Sequence, residues 1–445
     1  MRRLAGAVEP PPGWSRLPLV ERIMAVRGLT DPEQRQAFLE PSLHQLHAPA
    51  LLPGADAAAE RIVAAVRSGE RIAIYGDYDV DGMTATAILT HVIRRLRPDA
   101  DLMSYVPHRL EEGYGLNAPA LEQLAAEGVR LVVTVDCGIT ARSEVAVGRA
   151  AGLDLIVTDH HELPPGGAEA MPEAILVHPR LPGSAYPNGD LCGAGVAFKL
   201  AWRIAQVWAG SDLVGQVARQ ALVDVLPLAA LGTIADVVPL VGENRILTRF
   251  GLQTIKASPI EGLRALIEAS GLMGQDIDDE RAGFVLAPRL NACGRLGHAR
   301  DAVRLLCDAT GEEAARIAGM LARLNAERQK TERGITEQAA AMAESEGMTG
   351  EDRRAIVLED AQWHPGVVGI VCSRLVERFG RPVVLLQRGE DGMLKGSARS
   401  IDGYSIHAGL EACSAHLERF GGHEAAAGLT LRAERFEAFR EALLR

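Results

Sequence analysis

The sequence predicts an α/β protein of two lobes: a mostly parallel-sheet lobe, then a smaller α/β lobe, joined by a helical linker. Three observations predict it. Short β-rich apolar runs alternate with helical segments from about residue 56 to 240, the chain then turns helical to about residue 345, and a second alternation follows the turn-like "GMTGED". At 445 residues the chain is too long for one ordinary core. With 47% hydrophobic and 24% charged residues it has the profile of a globular chain, not of a disordered or collagen-like one.

Residues 1–55 read as an N-terminal extension of short helical pieces broken by proline and glycine. Its start, "MRRLAGAVEPPPGW", has basic residues but no apolar signal core, and Pro10 to Pro12 would break one. Within 56–245, "RIAIYG", "LMSYV", "LVVTVD", "LIVTDH" and "AILVHP" read as strands, with "MTATAILTHVIRRL" and "APALEQLAAEG" as helices between them. Residues 246–348 form a helical connector, in which Gly311 to Gly347 lacks proline and predicts one long linking helix. In 349–445 the order is "AIVLED", a helix from about Val367, "PVVLLQ", "LKGSARS", another helix and "GHEAAAGLTL".

Lys plus Arg is 47 and Asp plus Glu is 58, a net charge of −11. That argues against a dominant basic face and against tight, nonspecific coating of duplex DNA. It leaves room for a nucleic-acid substrate, because a local basic groove and bound cations can outweigh the global sign. The six cysteines are scattered with no C-x-x-C pair, which argues against a zinc knuckle or disulfide framework and suits a reducing cytoplasm. The apolar "VDVLPLAALGTIADVVPLVG" carries Asp224 and Asp236, so it is a poor membrane span.

The chemistry collects where strands end. "IYGDYDVDGMTATAIL" sets Asp77, Asp79 and Asp81 at alternating positions after an apolar run. Alone, that is also what a solvated turn into a helix looks like. The neighbouring runs carry the same cargo: "LVVTVDCG" ends in Asp136, "LIVTDHHELP" in Asp159, His160 and His161, and "LAALGTIADVV" delivers Asp236. Carboxylates gathered at the strand ends of one sheet repel one another unless cations sit between them. Oxygen-rich ligands with one or two histidines suit Mn²⁺ or Mg²⁺, and two ions about 3.5–4 Å apart are what phosphoester hydrolysis uses.

"DYDVDG", "TVDCG", "TDHHE" and "LGTIADVVPL" resemble, in order, the four motifs of the DHH phosphoesterase superfamily. "YGDYDVDGMTATA", "VPHRLEEGYGLN", "APRLNACGRLGHA" and "GGHEAAAG" are similar to the bacterial RecJ single-stranded-DNA-specific exonucleases in particular, over nearly the whole chain from about residue 50. The resemblance implies a DHH domain followed by a DHHA1 substrate-binding domain. It implies two metal ions per site, with Asp79 and Asp81 as ligands, Asp136 bridging, and His160 and Asp236 completing the second site. His161 would face the scissile phosphate, and Asp159 would orient a neighbour. Many members place a histidine where this chain has Tyr75, which leaves the first site a ligand short and makes Asp77 the candidate substitute. The implied reaction is metal-dependent hydrolysis of single-stranded DNA from 5′ to 3′, releasing 5′ mononucleotides in repair and recombination. A helicase and a single-strand-binding protein are implied as partners by analogy, and no membrane.

Further residues are weighed for the grip on substrate. Gly421 and Gly422 would let backbone approach a phosphate and His423 would add a donor, the alternative being a plain turn into a packed helix. His364 precedes a predicted helix N-terminus, where an anion is favoured, and Arg399 lies in "KGSARS"; either also reads as a surface charge. In the first lobe and linker, "PHRLEEGYG" offers Arg109 and Tyr114 and "APRLNACGRLGHA" offers Arg289, Asn291, Arg295 and His298; arginines among small residues can fork onto phosphates, the alternative being an interlobe salt-bridge network. Arg323, Arg328 and Lys330 on the long helix read as a solvated face. Three other readings stay open: a phosphodiesterase of short oligonucleotides or cyclic dinucleotides, a pyrophosphatase, which Tyr75 disfavours, and a non-catalytic nucleic-acid-binding scaffold. The chain ends at "REALLR", about where RecJ-type proteins continue into an OB-type domain, so nuclease activity with weaker grip or processivity is expected.

Overall fold

In the computed structural model, which describes residues 18–109, 111–350 and 353–444, the first apolar runs form β1 (Ile72–Gly76), β2 (Leu102–Tyr105), β3 (Leu131–Val135), β4 (Asp154–Thr158) and β5 (Ile175–Val177). "MRRLAGAVEPPPGW" and the last two residues of "GMTGED" lie outside the described residues. The five strands make a wholly parallel sheet in the order β2-β1-β3-β4-β5. β1 and β3 are buried along their whole length, which is why they read as unbroken apolar runs and not as alternations.

Pairing sets Gly76 opposite Val135, Val135 opposite Thr158, and Thr158 opposite Val177. The chain therefore leaves four neighbouring strands at one level, into Asp77, Asp136, Asp159 and His178. From β1 the chain proceeds to one side of the sheet and from β3 to the other. That reversal opens a crevice outside the carboxyl ends of β1 and β3, the place where open parallel sheets bind ligands.

Helices α1 (Ala55–Ser68), α2 (Val80–Leu96), α3 (Ala118–Ala126) and α4 (Arg142–Ala150) alternate with these strands. α3 and α4 close over one face, where Leu121, Leu124 and Val145 pack with Tyr75, Val132 and Val157. The alternation then stops earlier than expected. Past β5 come α5 (Gly193–Ala209), α6 (Gln216–Asp224), α7 (Leu226–Ala235) and α8 (Gly242–Thr254), with no further strand among the described residues of this unit. "LAALGTIADVV" is thus the end of a helix and not of a strand. Leu226 to Thr233 is buried on every side, and an apolar run without period does not distinguish the two. Gln216–Ala235 has the length and hydropathy of a membrane span, but it is two helices and is 67% buried. α2 packs on α5 and α7, and these helices carry fully buried small residues, including Ala85, Ala194, Ala197, Ala229 and Ala230.

The chain divides into two units. The first holds the chain through His108, then Glu112–Asn291 and Ala299–Gly319; the second holds Arg109–Glu111, Ala292–His298 and everything from Met320. A π-helical turn, Ala282–Leu286, runs into α9 (Ala287–Leu296), and the expected long helix is α10 (Gly311–Ser345). On it Arg328 is not a solvated charge: it pairs with Glu332 at 2.6 Å, and Glu332 also receives Arg374 at 3.2 Å.

The second unit is built on β6 (Ile356–Asp360), α11 (Pro365–Phe379), β7 (Val383–Arg388), β8 (Met393–Arg399), α12 (Ile406–Ala412), β9 (Arg419–Gly422), β10 (Ala426–Arg432) and α13 (Phe436–Leu443). Its sheet is mixed, in the order β6-β7-β8-β10-β9. Ile356 and Leu358 pack with Val367, Val368 and Val371, while Val357 on the opposite face packs with Val384, Ile406 and Phe439. This is the two-residue alternation of a sheet covered on both sides. "GGHEAAAG" is a hairpin between β9 and β10, not a turn into a helix.

Candidate metal centre

The turn after β1 is built to gather carboxylates. Asp79 caps α2, its Oδ1 accepting the Gly82 amide at 3.1 Å, which places Asp81 in the first, buried turn of that helix. A Cβ at Gly82 would lie 2.5 Å from the Asp77 amide nitrogen, so only glycine lets α2 begin directly against this turn. After β3, Asp136 holds a left-handed backbone (φ 64°) and is almost wholly buried, the kind of local strain that surrounding structure must enforce. Asp236 comes from the C-terminal end of α7, and His160 and His161 follow β4.

These residues converge. Ligand atoms of Asp77, Asp79 and Asp136 lie within 4.8 Å of one another, as do those of Asp81, His160 and Asp236, and those of Asp136, His160 and His161. His160 Nε2 stands 3.1 Å from Asp136 Oδ1 and 3.7 Å from carboxylate oxygens of both Asp81 and Asp236. Among the described residues, histidines are the only basic side chains within 4 Å of the Asp81, Asp136 and Asp236 carboxylates. Burial and then the neighbouring carboxylates push Asp136 well up and carry Asp236 to about 8; burial, and more weakly Asp79, raises Asp81 against the pull of His160. Burial lowers His160, the direction that favours the neutral imidazole a metal binds.

A divalent cation pair fits this donor set. Asp136 Oδ1 and His160 Nε2 are both buried, and neither makes a hydrogen bond although they are close neighbours. A cation between two such atoms satisfies both, and ions would relieve the mutual repulsion of the carboxylates. Carboxylate oxygen with imidazole is a Mn²⁺ or Mg²⁺ set. The six cysteines are all free and buried. Burial pushes the thiols of Cys137 and Cys192, nearest to the cluster in sequence, well up.

His161 is handled differently. Its Nδ1 lies 2.7 Å from Asp159 Oδ1, and Asp159 also accepts backbone amides of His160, His161 and Ile139. Burial opposes the charge on each partner, but this pairing outweighs it: Asp159 falls to about 2 and His161 rises to about 9. Tyr114 Oη lies 3.3 Å from His161 Nε2, its ring edge-on to the imidazole.

Several supports escaped the reading of the sequence. His178, fully buried at the end of β5, reaches the His161 carbonyl through Nε2 at 2.8 Å; its place in "AILVHP", at the end of a strand, was the available signal. The N-terminus of α5 holds Asp81: the Gly193 amide donates to Oδ2 and the Ala194 amide to Oδ1 at 2.8 Å. A Cβ at Gly193 would stand 2.6 Å from the Asp136 Cβ, so its backbone supports two carboxylates at once. Tyr75 lies in the core, its hydroxyl donating to the Gly115 carbonyl and accepting from Asn117.

Of the substrate candidates, Tyr114 and Asn291 join the cluster's surroundings, the latter accepting the Val80 amide at 3.1 Å. Arg289 Nη1 donates to the Val285 carbonyl. Within the second unit, Arg399 is pushed down by burial, with Arg109 near enough to add to the effect. Arg295 donates to the Gly366 carbonyl at 3.1 Å, and His364 caps α11, with Nδ1 accepting the Gly366 amide. His298 is half-buried; Gly421 and Gly422 lie on β9, and His423 donates its amide to Ala426.

Residues 71–233 match the profile of the DHH family, N-terminal domain, and residues 352–445 that of the DHHA1 domain. The chain is 42% identical over 418 residues to the single-stranded-DNA-specific exonuclease RecJ of Bacillus subtilis, covering 94% of this chain and 50% of that one. It is 39% identical over 435 residues to RecJ of Salmonella typhimurium, covering 95% and 74%. RecJ of Thermus thermophilus, solved with Mn²⁺ and with Mg²⁺, matches at TM-scores of 0.81 and 0.74 and at 35% and 33% identity, covering 98% of this chain and 61% and 59% of those chains. The chain thus spans half the length of the Bacillus relative and about three quarters of the Salmonella one. Sequence motifs, parallel sheet, carboxylate cluster and these matches agree: the chain belongs to the RecJ family of single-stranded-DNA-specific exonucleases, on the DHH phosphoesterase fold.

Proposed function

We propose that this chain hydrolyses single-stranded DNA from its 5′ end and releases 5′ mononucleotides, in DNA repair and recombination. The observation that carries the reading is the convergence of Asp77, Asp79, Asp81, Asp136, His160 and Asp236 at the crevice between β1 and β3. These residues would hold two divalent cations, with Asp136 shared. Such a pair, when bound, activates water at neutral pH and stabilises charge on the attacking and leaving oxygens of a phosphodiester.

The rest of the work belongs to the side chains. The α5 amides fix both oxygens of Asp81. Asp159 keeps a proton on His161, so this imidazole offers a charge-assisted donor to a phosphate oxygen. Tyr114 restrains the same ring. No covalent intermediate on the protein is required. In the second unit, Arg109 and Arg399 would take a phosphate of the strand, Arg399 being held by its own chain at the Ala398 carbonyl. Arg295, His298, His364, Gly421, Gly422 and His423 are assigned to further contacts with the strand.

Digestion of a long single strand labelled at either end, beside duplex and a dinucleotide, tests the proposal. Early, metal-dependent release of a 5′-labelled mononucleotide from the single strand alone is the expected result. Early release of the 3′ label reverses the polarity, and cleavage confined to the dinucleotide replaces the reading with a short-substrate phosphodiesterase.

A further inference from the structure

Two large apolar side chains stand exposed on elements that adjoin the carboxylates, and the mechanism above uses neither. Val237 directly follows Asp236, holds a left-handed backbone (φ 61°) and is 85% exposed. Phe284 is 79% exposed and sits in the π-helical turn Ala282–Leu286. A β-branched residue at positive φ is strained, and π turns concentrate at functional sites.

The π turn is tied to the metal centre from two directions. Gly283 packs so closely on Ile234, two residues before Asp236, that a Cβ there would come within 3.2 Å of its side chain. Further along the same helical stretch, Asn291 Oδ1 accepts the amide of Val80, which lies between Asp79 and Asp81. Between these anchors Arg289 folds back so that Nη1 reaches the carbonyl of Val285, the residue after Phe284. Its Nε is buried with no hydrogen-bond partner, and no carboxylate pairs with it among the described residues. An open aromatic face with an unneutralised guanidinium one turn away matches one kind of occupant. The ring offers a stacking surface to a base and the guanidinium a partner to its phosphate, the combination by which proteins hold single strands without reading sequence.

We infer that Phe284 is a nucleobase-stacking subsite of this centre, and that Arg289 engages the phosphate of the nucleotide stacked there. The inference rests on the single-strand reading above. It predicts which part of the nucleotide is recognised: the base plane, irrespective of its identity.

The test measures KM and kcat for mononucleotide release from 5′-phosphorylated single strands, some carrying one abasic residue at successive positions from the 5′ end. Wild type, Phe284→Ala and Phe284→Trp are compared with Mn²⁺, and thermal midpoints check that the exposed substitutions leave the fold intact. Phe284→Ala is expected to raise KM roughly 5- to 150-fold, the scale of one lost base stack, and Phe284→Trp to restore it. An abasic residue at one position should penalise the wild type and leave Phe284→Ala unaffected. If wild type degrades the strands and Phe284→Ala matches it with the abasic penalty intact, the stacking subsite is wrong while the exonuclease reading stands. Equal impairment by alanine and tryptophan likewise overturns stacking. Failure of the wild type to cut any single strand removes the reading and the subsite together.

Discussion

At the scale of single residues, Asp136 and His160 face each other in the way expected of two ligands to a shared cation. Their facing atoms, 3.1 Å apart and buried, make no hydrogen bond, and burial with four surrounding aspartates disfavours the Asp136 charge. Asp136→Asn keeps the shape and removes the charge. It should lower kcat by about 10³-fold or more, the scale of losing a preorganised electrostatic contact, with an unchanged circular dichroism spectrum. We propose that Asp159 acts through His161. In chelator-treated protein, the His161 imidazole should titrate near 9 by NMR, and Asp159→Asn should bring it down toward 6.5, with a loss of activity of about 10- to 100-fold. A His161 titration unmoved by Asp159→Asn would dismiss that role. Asp77, Asp79, Asp81, Asp136, His160 and His161 were legible as a group because each sits in a short motif at the end of an apolar run. Gly193 was not, because what it does is done by its amide and by its missing Cβ, on aspartates far away in the chain.

Helix α5 connects this centre to the core behind it. Its N-terminal amides hold Asp81, and its middle carries Lys199, fully buried, whose ammonium donates to Glu243 Oε1 at 2.8 Å and to the His47 carbonyl. Glu243 in turn accepts the Tyr186 hydroxyl at 2.6 Å and the His47 amide at 2.8 Å. A buried pair so enclosed is costly to break on one side. Lys199→Met should destabilise the protein by about 3–5 kcal/mol in denaturant titration, and a change below about 1 kcal/mol would show that the pair does not anchor the helix. Gly193→Ala, at the other end, should weaken Mn²⁺ affinity because its methyl group displaces Asp136. Strands β1, β3 and β4 could be read from sequence, since burial on both faces makes them continuous apolar runs. α7 could not be told from a strand for the same reason: it is buried all round and so shows no helical period. The β9–β10 pairing escaped because glycines mark a turn without specifying whether a strand or a helix comes after it.

For the molecule as a whole, the site trades stability for ligand capacity, and the sign comes from two groups. Asp236, ordinarily near 3.8, is raised to about 8, and His161, ordinarily near 6.5, to about 9. Each keeps in the folded protein a proton that the unfolded chain would release at lower pH. Its contribution is therefore full below the unfolded pKa and is lost as pH rises through the folded one. Without metal, the thermal midpoint should fall between about pH 6.5 and 8.5; with millimolar Mn²⁺ it should rise and fall less steeply, because cations replace the protons. A metal-free midpoint that climbs across this range would contradict the assignment of both groups. The carboxylates and His160 would hold two cations through a shared Asp136. Calorimetric titration of the metal-free protein with Mn²⁺, beside Asp136→Asn, addresses this most directly. Two ions per chain are expected in the wild type, with lost or greatly weakened binding in the variant; a single ion, or equal binding by both proteins, would overturn the shared site.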